Sequence, residues 1–145
     1  MRILVDTTVW SLALRRKQSD LSPWEFAASA HLAELVRRQN AVLMGVVRQE
    51  VLSGMRDKRR FDIVREALHS FPDPAMVVED YENAAALWNT CMTKGISPSY
   101  VDMLICSMSI RHGWPIFTTD KDFQHYGSVL QLAIYDFNQK TPKRT

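Results

Sequence analysis

Short apolar runs alternate with longer segments of helical periodicity along the chain. The runs have the length of buried strands and lie at 2–5, 41–45, 75–78, 115–118 and 130–135. Between them, apolar residues recur three or four positions apart, which predicts helices over 8–17, 23–39, 47–55, 60–69, 81–94 and 100–112. This alternation predicts an α/β fold of three layers, in which helices cover both faces of a mainly parallel five-stranded sheet.

The second predicted helix has a clear start signal. Ser22 fits the N-cap, Pro23 fits the first turn, and Glu25 is placed to complete a capping box. The side of this helix predicted to face the core carries Phe26, Ala30, Ala33 and Val36.

Two later helices also carry boundary signals. Asp80 is predicted to cap the helix over 81–94, which stops at Gly95. Ser99 is predicted to cap the next helix, which stops at Gly113.

Composition indicates one globular domain. The chain has 145 residues, of which 46% are hydrophobic and 23% charged, so a single core over residues 1–138 followed by a polar tail at 139–145 is expected. No apolar run is long enough to span a membrane, and the first residues lack the pattern of a secretory signal. With two isolated cysteines, Cys91 and Cys106, the sequence predicts a cytoplasmic protein without a disulfide framework.

The formal net charge is only +2, but the basic residues are concentrated in three clusters. These are Arg15, Arg16 and Lys17; Arg56, Lys58, Arg59 and Arg60; and Lys140, Lys143 and Arg144. Any one cluster is explained by a solvated surface, since Lys and Arg are seldom buried. Three clusters in a chain that also carries a set of carboxylates indicate an anionic substrate.

Five acidic residues follow predicted strands or begin the adjoining helices. Asp6 follows the first strand, Glu50 lies in the helix after the second, Asp102 begins the helix before the fourth, and Asp120 and Asp122 follow the fourth. In an open parallel sheet, ligands bind beyond the carboxyl ends of the strands. We therefore expect these side chains to face one crevice.

Each acid also has a structural explanation. Asp6 and Asp120 fit N-cap positions, and Glu50 fits a solvated helix face. Asp102 lies three residues after Ser99 and fits a capping box. This explanation is weakest for Asp102, because a carboxylate among apolar neighbours is costly unless it is paired or metal-bound.

Converging carboxylates repel one another and raise one another's pKa unless a cation lies between them. Oxygen ligands without thiolates or clustered histidines favour Mg²⁺ or Mn²⁺ over zinc or copper. Such a site suits phosphodiester hydrolysis by activated water, with either one ion or two.

Histidines and tryptophans offer alternative ways of acting on RNA. A pair of histidines could cut RNA by general acid and base catalysis, but His31, His69, His112 and His125 are interpreted as structural or surface residues. Exposed tryptophans could stack on bases. Packing in the core is the preferred interpretation for most of Trp10, Trp24, Trp88 and Trp114.

Four segments together resemble the PIN-domain family, and within it the VapC-type toxins of bacterial toxin–antitoxin pairs. The segments are VDTTVW around Asp6, VVRQEVLSG around Glu50, SYVDMLICSMSIRHG around Asp102, and PIFTTDKDF with Asp120 and Asp122. They follow the family's order and spacing over nearly the whole chain. The segment at 19–26 departs from the family's pattern, so no substrate contact is assigned to it.

The resemblance implies an endoribonuclease that uses Mg²⁺ or Mn²⁺. Its acidic residues would be Asp6, Glu50, Asp102 and Asp120, with Asp122 as an additional member. Asp6, Asp102 and Asp120 are expected to hold the ion, with Thr7 and Thr118 as supporting hydroxyls. The resemblance also implies the sheet order 3-2-1-4-5, a homodimer, an RNA substrate and a VapB-type antitoxin as partner.

Two other classes stay open on sequence grounds. A non-catalytic or RNA-processing PIN domain would share the fold without being a toxin. An aspartyl-phosphate phosphatase would use Asp6 as nucleophile and Asp120 as a metal ligand, although Thr8 stands where such enzymes generally carry a second acid.

Overall fold

A small parallel sheet forms the interior of the computed structural model, which describes residues 1–138. Its strands are β1 (Ile3–Val5), β2 (Ala41–Val42) and β3 (Ile116–Phe117), in the order β2-β1-β3. The aligned pairs are Ile3 with Ala41, Leu4 with Val42, Leu4 with Ile116, and Val5 with Phe117. Every strand residue is buried, so both faces of the sheet are covered, since successive side chains point to opposite faces.

Helices make up most of the described chain. In chain order they are α1 (Thr7–Leu14), α2 (Pro23–Arg37), α3 (Gly45–Leu52), α4 (Lys58–Leu68), α5 (Val78–Thr93), α6 (Tyr100–His112) and α7 (Asp122–Gly127), with a 3₁₀ turn at Gln18–Asp20. Helices α5 and α6 pack extensively against each other, and α1 packs against α2 and α3. Within residues 1–138, none of the helices combines the length and apolar character needed to cross a lipid bilayer.

Three of the predicted helix boundaries are confirmed. Ser22 Oγ accepts from the Glu25 N–H at 3.1 Å, and Glu25 Oε1 accepts from the Ser22 N–H at 3.0 Å, which completes the capping box of α2. Ser99 Oγ accepts from the Asp102 N–H at 3.0 Å at the start of α6. Helix α6 ends at Gly113, whose φ of 69° lies in the left-handed region that glycine tolerates best.

The predicted buried face of α2 is wrong. Its buried residues are Ala28, Ser29, Leu32 and Leu35. Phe26, Ala30 and Ala33 are instead exposed, and Val36 is half-buried. Apolar residues occur around most of this helix, and the orientation it adopts buries the two leucines, which remove more apolar area from water than the alanines do.

The predicted five-stranded sheet is also wrong for the described residues. Segment 75–78 forms no strand: the Val77 N–H donates to Oδ2 of Asp80 at 2.8 Å, so the first turn of α5 takes the group that a strand would use. Segment 130–135 contributes a single parallel bridge between Ile134 and Ile116. The observed order matches the inner part of the expected order, and the predicted tail at 139–145 lies outside the described residues.

Asp80 has a different role from the predicted N-cap. It is the third residue of α5 and is fully buried, and both of its carboxylate oxygens accept from the Arg111 guanidinium at 2.5 and 2.8 Å. Because these hydrogen bonds stabilise the ionised form, they hold the pKa of Asp80 below its ordinary value. This ion pair fastens the start of α5 to the end of α6.

Candidate metal centre and active site

Asp6 occupies the junction between β1 and α1, where the strand delivers it to the carboxyl end of the sheet. It stands at the N-cap position, yet its side chain makes no capping hydrogen bond. Its Oδ2 instead accepts from the hydroxyls of Thr118 at 2.8 Å and Thr8 at 2.9 Å. The carboxylate is therefore oriented by the chain that follows β3, and capping does not explain its position.

Asp102 lies in the first turn of α6 and accepts a hydrogen bond of 2.7 Å from the phenol of Tyr126 on α7. Ser99 caps the Asp102 N–H, which leaves the Asp102 carboxylate free to point away from the helix start. Tyr126 is buried, so its hydroxyl holds one carboxylate oxygen in a fixed place.

Asp120 and Asp122 follow β3 and approach Asp102. One potential ligand atom from each of these three carboxylates lies within 4.8 Å of the other two. Asp120 Oδ1 accepts from the Asp122 N–H at 2.9 Å, and the Asp120 N–H donates to Thr118 Oγ1 at 3.0 Å. Thr118 thus links Asp120 to Asp6, so four of the five predicted acids belong to one connected site.

Glu50 lies one helix away, on α3. The Thr7 hydroxyl donates to Glu50 Oε1 at 2.8 Å, which fixes the carboxylate beside the start of α1. The neighbouring cation Arg48 turns elsewhere and donates to the carbonyls of Leu68 and Phe71 at 2.8 and 2.7 Å. Glu50 is exposed and lies at the edge of the site, where it is bonded to Thr7, the residue that follows Asp6.

The electrostatics of the site reflect burial and crowding. Burial, together with the charges of Asp6 and Asp120, raises the pKa of Asp102 to about 6, although the Tyr126 hydrogen bond lowers it. Burial also raises the pKa of Asp6, which is 3% exposed, and the Thr118 and Thr8 hydroxyls partly offset this. A cation at this position would favour the ionised forms of both groups.

The donor set fits a hard divalent cation. Asp102, Asp120 and Asp122 offer carboxylate oxygens within reach of one ion, since Mg²⁺–oxygen bonds are about 2.1 Å long. The two cysteines are buried and free, and burial raises the pKa of Cys106. A thiolate ligand is therefore disfavoured, and oxygen ligands select Mg²⁺ or Mn²⁺.

Two residues of the site were not predicted as functional. Thr8 donates to Asp6 and accepts from the Thr119 N–H at 3.0 Å, so it joins the ends of β1 and β3. The doubled hydroxyl in DTT was a usable signal for Thr8. Tyr126 has no such signal, because Phe123 and Tyr126 follow the spacing of an ordinary buried helix face.

The chain belongs to the PIN domain family, whose model matches residues 3–129. The matched span includes all five predicted acids. No curated protein sequence matches the chain.

Three solved structures illustrate the proteins whose fold is similar to that of this chain. The fold is similar to that of VapBC2 from Rickettsia felis bound to a DNA fragment from its promoter, with a TM-score of 0.70, 14% identity, and 95% of this chain and 100% of that chain covered. FitAcB from Neisseria gonorrhoeae gives a TM-score of 0.65 at 19% identity, covering 92% of this chain and 96% of the other. A toxin–antitoxin complex from Klebsiella pneumoniae gives a TM-score of 0.60 at 18% identity, covering 83% of this chain and 89% of the other.

Proposed function

We propose that this PIN domain is a metal-dependent endoribonuclease and the VapC-type toxin of a toxin–antitoxin pair. The observation that carries the proposal is the meeting of Asp102, Asp120 and Asp122 at the carboxyl end of a parallel sheet, with Asp6 linked to them through Thr118. This is the edge at which open α/β sheets bind ligands.

Mg²⁺ or Mn²⁺ would be held by Asp102, Asp120 and Asp122, with Asp6 binding directly or orienting the ion's water ligands. When bound, the ion supplies Lewis-acid activation of water and neutralises charge that develops on the phosphoryl group. Mg²⁺ usually accepts one or two direct carboxylates, so the remaining acids would orient water.

The surrounding hydroxyls would keep the acids in position during the reaction. Thr118 and Thr8 fix one oxygen of Asp6, and Tyr126 fixes one oxygen of Asp102. Thr7 holds Glu50 at the edge of the site, where its carboxylate could accept a proton from the attacking water. Because these bonds exist before substrate binds, little reorganisation would be needed during catalysis.

An RNA substrate is supported by two clusters of exposed basic residues that lie next to each other. Arg15, Arg16 and Lys17, just beyond α1, are exposed, as are Lys58 and Arg59 at the start of α4. The Arg60 guanidinium donates to the carbonyls of Leu14 and Arg15 at 3.1 and 2.6 Å, which brings these two clusters together. Their combined field would attract phosphates without regard to sequence.

An antitoxin partner is supported by the similar complexes and by an apolar groove between α1, α2 and α4. The groove has a volume of about 510 Å³, and its lining includes Trp10, Leu14, Leu32 and Phe71. An amphipathic helix of a VapB-type protein would fill a groove of this kind. Such a partner would keep the toxin silent in the cytoplasm.

A homodimer is supported by a second apolar surface, formed by α5 and α6. Large apolar side chains are left exposed there on Val78, Tyr81, Met92 and Tyr100, beside a groove of about 450 Å³. Contiguous exposed apolar surface of this kind commonly marks a protein–protein contact. Sedimentation equilibrium of the wild type and of Tyr81→Glu would test the dimer.

The experiment that tests the activity is incubation of the purified protein with total RNA, with Mg²⁺ or with EDTA. We expect cleavage only with the metal, products that carry 5′-phosphate and 3′-hydroxyl ends, and no cleavage by Asp102→Asn. Cleavage that persists in EDTA, or products with cyclic phosphate ends, would contradict the proposal and indicate histidine chemistry. Growth arrest on expression in a bacterial host would separate a toxin from an RNA-processing enzyme.

A further inference from the structure

A cavity of about 280 Å³ opens beside the acidic site, on the side of Asp120 that faces the start of α2. The residues of its lining that matter here are Trp24, Thr118, Asp120, Lys121, Gln124 and Ile134. Asp120 and Thr118 belong to both the cavity and the acidic site. A ligand in this cavity would therefore lie next to any group bound at the carboxylates.

Trp24 differs from the other three tryptophans in its exposure. Its side chain is 46% exposed, whereas Trp10 is buried and Trp88 and Trp114 are half-buried. The indole packs against Phe137 with ring centroids 5.6 Å apart, and Phe137 in turn stacks on His31 at 5.4 Å. The capping box of Ser22 and Glu25 fixes the backbone at Trp24, so the ring is held in place while much of it stays open to solvent.

The chemistry of the lining favours a flat, neutral, aromatic ligand. Trp24 and Ile134, which is 40% exposed, supply apolar surface, and the Gln124 amide can donate and accept hydrogen bonds at the edge of a ring. The Asp120 carboxylate disfavours an anion inside the cavity. Lys121 is exposed at the rim, where its ammonium group could contact a phosphate.

We propose that this cavity is a nucleobase subsite, in which an unpaired base stacks on Trp24 next to the phosphodiester held at the acids. The inference rests on the proposed function for the identity of the nucleic acid as RNA. Stacking on an aromatic side chain tolerates every base, because each has a π-face, whereas Gln124 adds a preference through the base edge. The base must be unpaired, since a duplex keeps its bases stacked on one another.

The test compares two probes that carry the same phosphates. One is a fluorescein-labelled decamer of riboadenylate, and the other is a ten-residue abasic ribose-phosphate oligomer. All proteins carry Asp102→Asn, which lies outside the cavity, so that no RNA is cut, and binding is measured by anisotropy in Mg²⁺. The variants are Trp24→Leu, Trp24→Phe and, as a matched control, Phe26→Leu, an exposed aromatic residue on the same helix that does not line the cavity.

We expect the parent protein to bind the decamer more tightly than the abasic oligomer. Trp24→Leu should reduce that preference by about 5- to 150-fold, the range for one lost base stack, with affinity for the abasic oligomer unchanged. Trp24→Phe should keep most of the preference, and Phe26→Leu should keep all of it. A preference that is absent in the parent, or unaltered in Trp24→Leu, overturns the subsite.

Cleavage assays on proteins that retain Asp102 separate this inference from the nuclease proposal. If the binding assay shows a base preference that depends on Trp24, but the protein with intact Asp102 cleaves no RNA in the presence of metal, the subsite stands and the nuclease proposal is overturned. Metal-dependent cleavage whose KM and base preference are the same in wild type and Trp24→Leu would overturn the subsite alone. Thermal melting of each variant reports whether the capped start of α2 is intact.

Discussion

The phenol of Tyr126 donates a hydrogen bond of 2.7 Å to Oδ2 of Asp102, and this bond joins α7 to the acid at the start of α6. Tyr126 is buried, so the bond is shielded from competition with water. It favours the ionised form of a carboxyl group whose pKa burial and neighbouring charges raise to about 6. Tyr126 therefore helps to keep Asp102 charged, and ready to bind a cation, near neutral pH.

Replacing Tyr126 with Phe tests this relationship directly. The ring still fills its place in the core, but the hydrogen bond is lost. The pKa of Asp102 should therefore rise further, from about 6 to about 7. Carbon-detected NMR titration of the Asp102 carboxyl in metal-free protein measures this value. Tyr100→Phe, at the exposed start of α6, is the control, and an unchanged Asp102 pKa in Tyr126→Phe would contradict the assignment.

Asp102 should also make metal-free protein more stable as the pH falls from 7 toward 5. Its folded pKa of about 6 lies above the ordinary value of 3.8, so the folded state binds more protons between those values and gains stability as protons are added. Asp102→Asn should lack this component and melt at the same temperature as, or above, the wild type at pH 7. Melting curves in EDTA at pH 7 and pH 5 give the difference in melting temperature between the wild type and Asp102→Asn. A difference that is the same at both pH values would contradict this prediction.

The Asp80–Arg111 pair predicts the opposite dependence on pH. The pKa of Asp80 is lowered in the folded state. The pair's contribution to stability is therefore present above the ordinary value of 3.8 and is lost as the pH falls through the folded pKa of Asp80. Arg111→Met should lower the free energy of unfolding by about 3 kcal/mol, because buried Asp80 would lose its partner while Arg111 itself is 34% exposed. Urea denaturation at pH 7 measures this loss. Arg65→Met, which breaks the exposed pair with Asp62, should cost less than about 1 kcal/mol.

Attraction of RNA by the basic clusters predicts a specific dependence on salt. Replacing both Lys58 and Arg59 with Gln should weaken binding of a single-stranded oligonucleotide and make the slope of log affinity against log salt shallower by about 0.7 for each lost phosphate contact. Binding measured between 50 and 200 mM salt gives the slope.

The matched control for that experiment is the double replacement of Arg37 and Arg38 with Gln. It removes the same formal charge from a different surface, where both side chains pair with Glu34 on α2. If the control changes the slope as much as the Lys58 and Arg59 variant does, the effect comes from net charge rather than from a binding surface.

Much of the candidate site could be predicted because its residues follow strands or begin the adjoining helices, and the ends of parallel strands meet at one edge. The sequence placed Asp6, Asp102, Asp120 and Asp122 there, and the structure brings three of them within 4.8 Å while Asp6 joins through Thr118. The bond from the Thr119 N–H to Thr8 and the bond from Tyr126 to Asp102 could not be predicted, since each joins segments that are separate in the sequence. The assignment of individual ligands stays a prediction.

The parts of the fold that were mispredicted share a cause. In each, local apolar character left two arrangements open, and a contact with a particular side chain decided between them. The valines at 77 and 78 have strong strand propensity, yet Asp80 captures the Val77 N–H and starts a helix there. Near the end of the chain, the Ile116 N–H and carbonyl pair with Ala133 and Tyr135, but Phe137 then packs on Phe117 instead of extending the strand.

Because segment 75–78 forms no strand, β2 is an edge strand of the described sheet, and it has only two residues, both buried. An extended segment of another molecule would find few free amide and carbonyl groups to pair with along such a short edge strand. The arrangement should therefore discourage fibril-type association during synthesis, even though the chain carries several runs rich in valine, leucine and isoleucine.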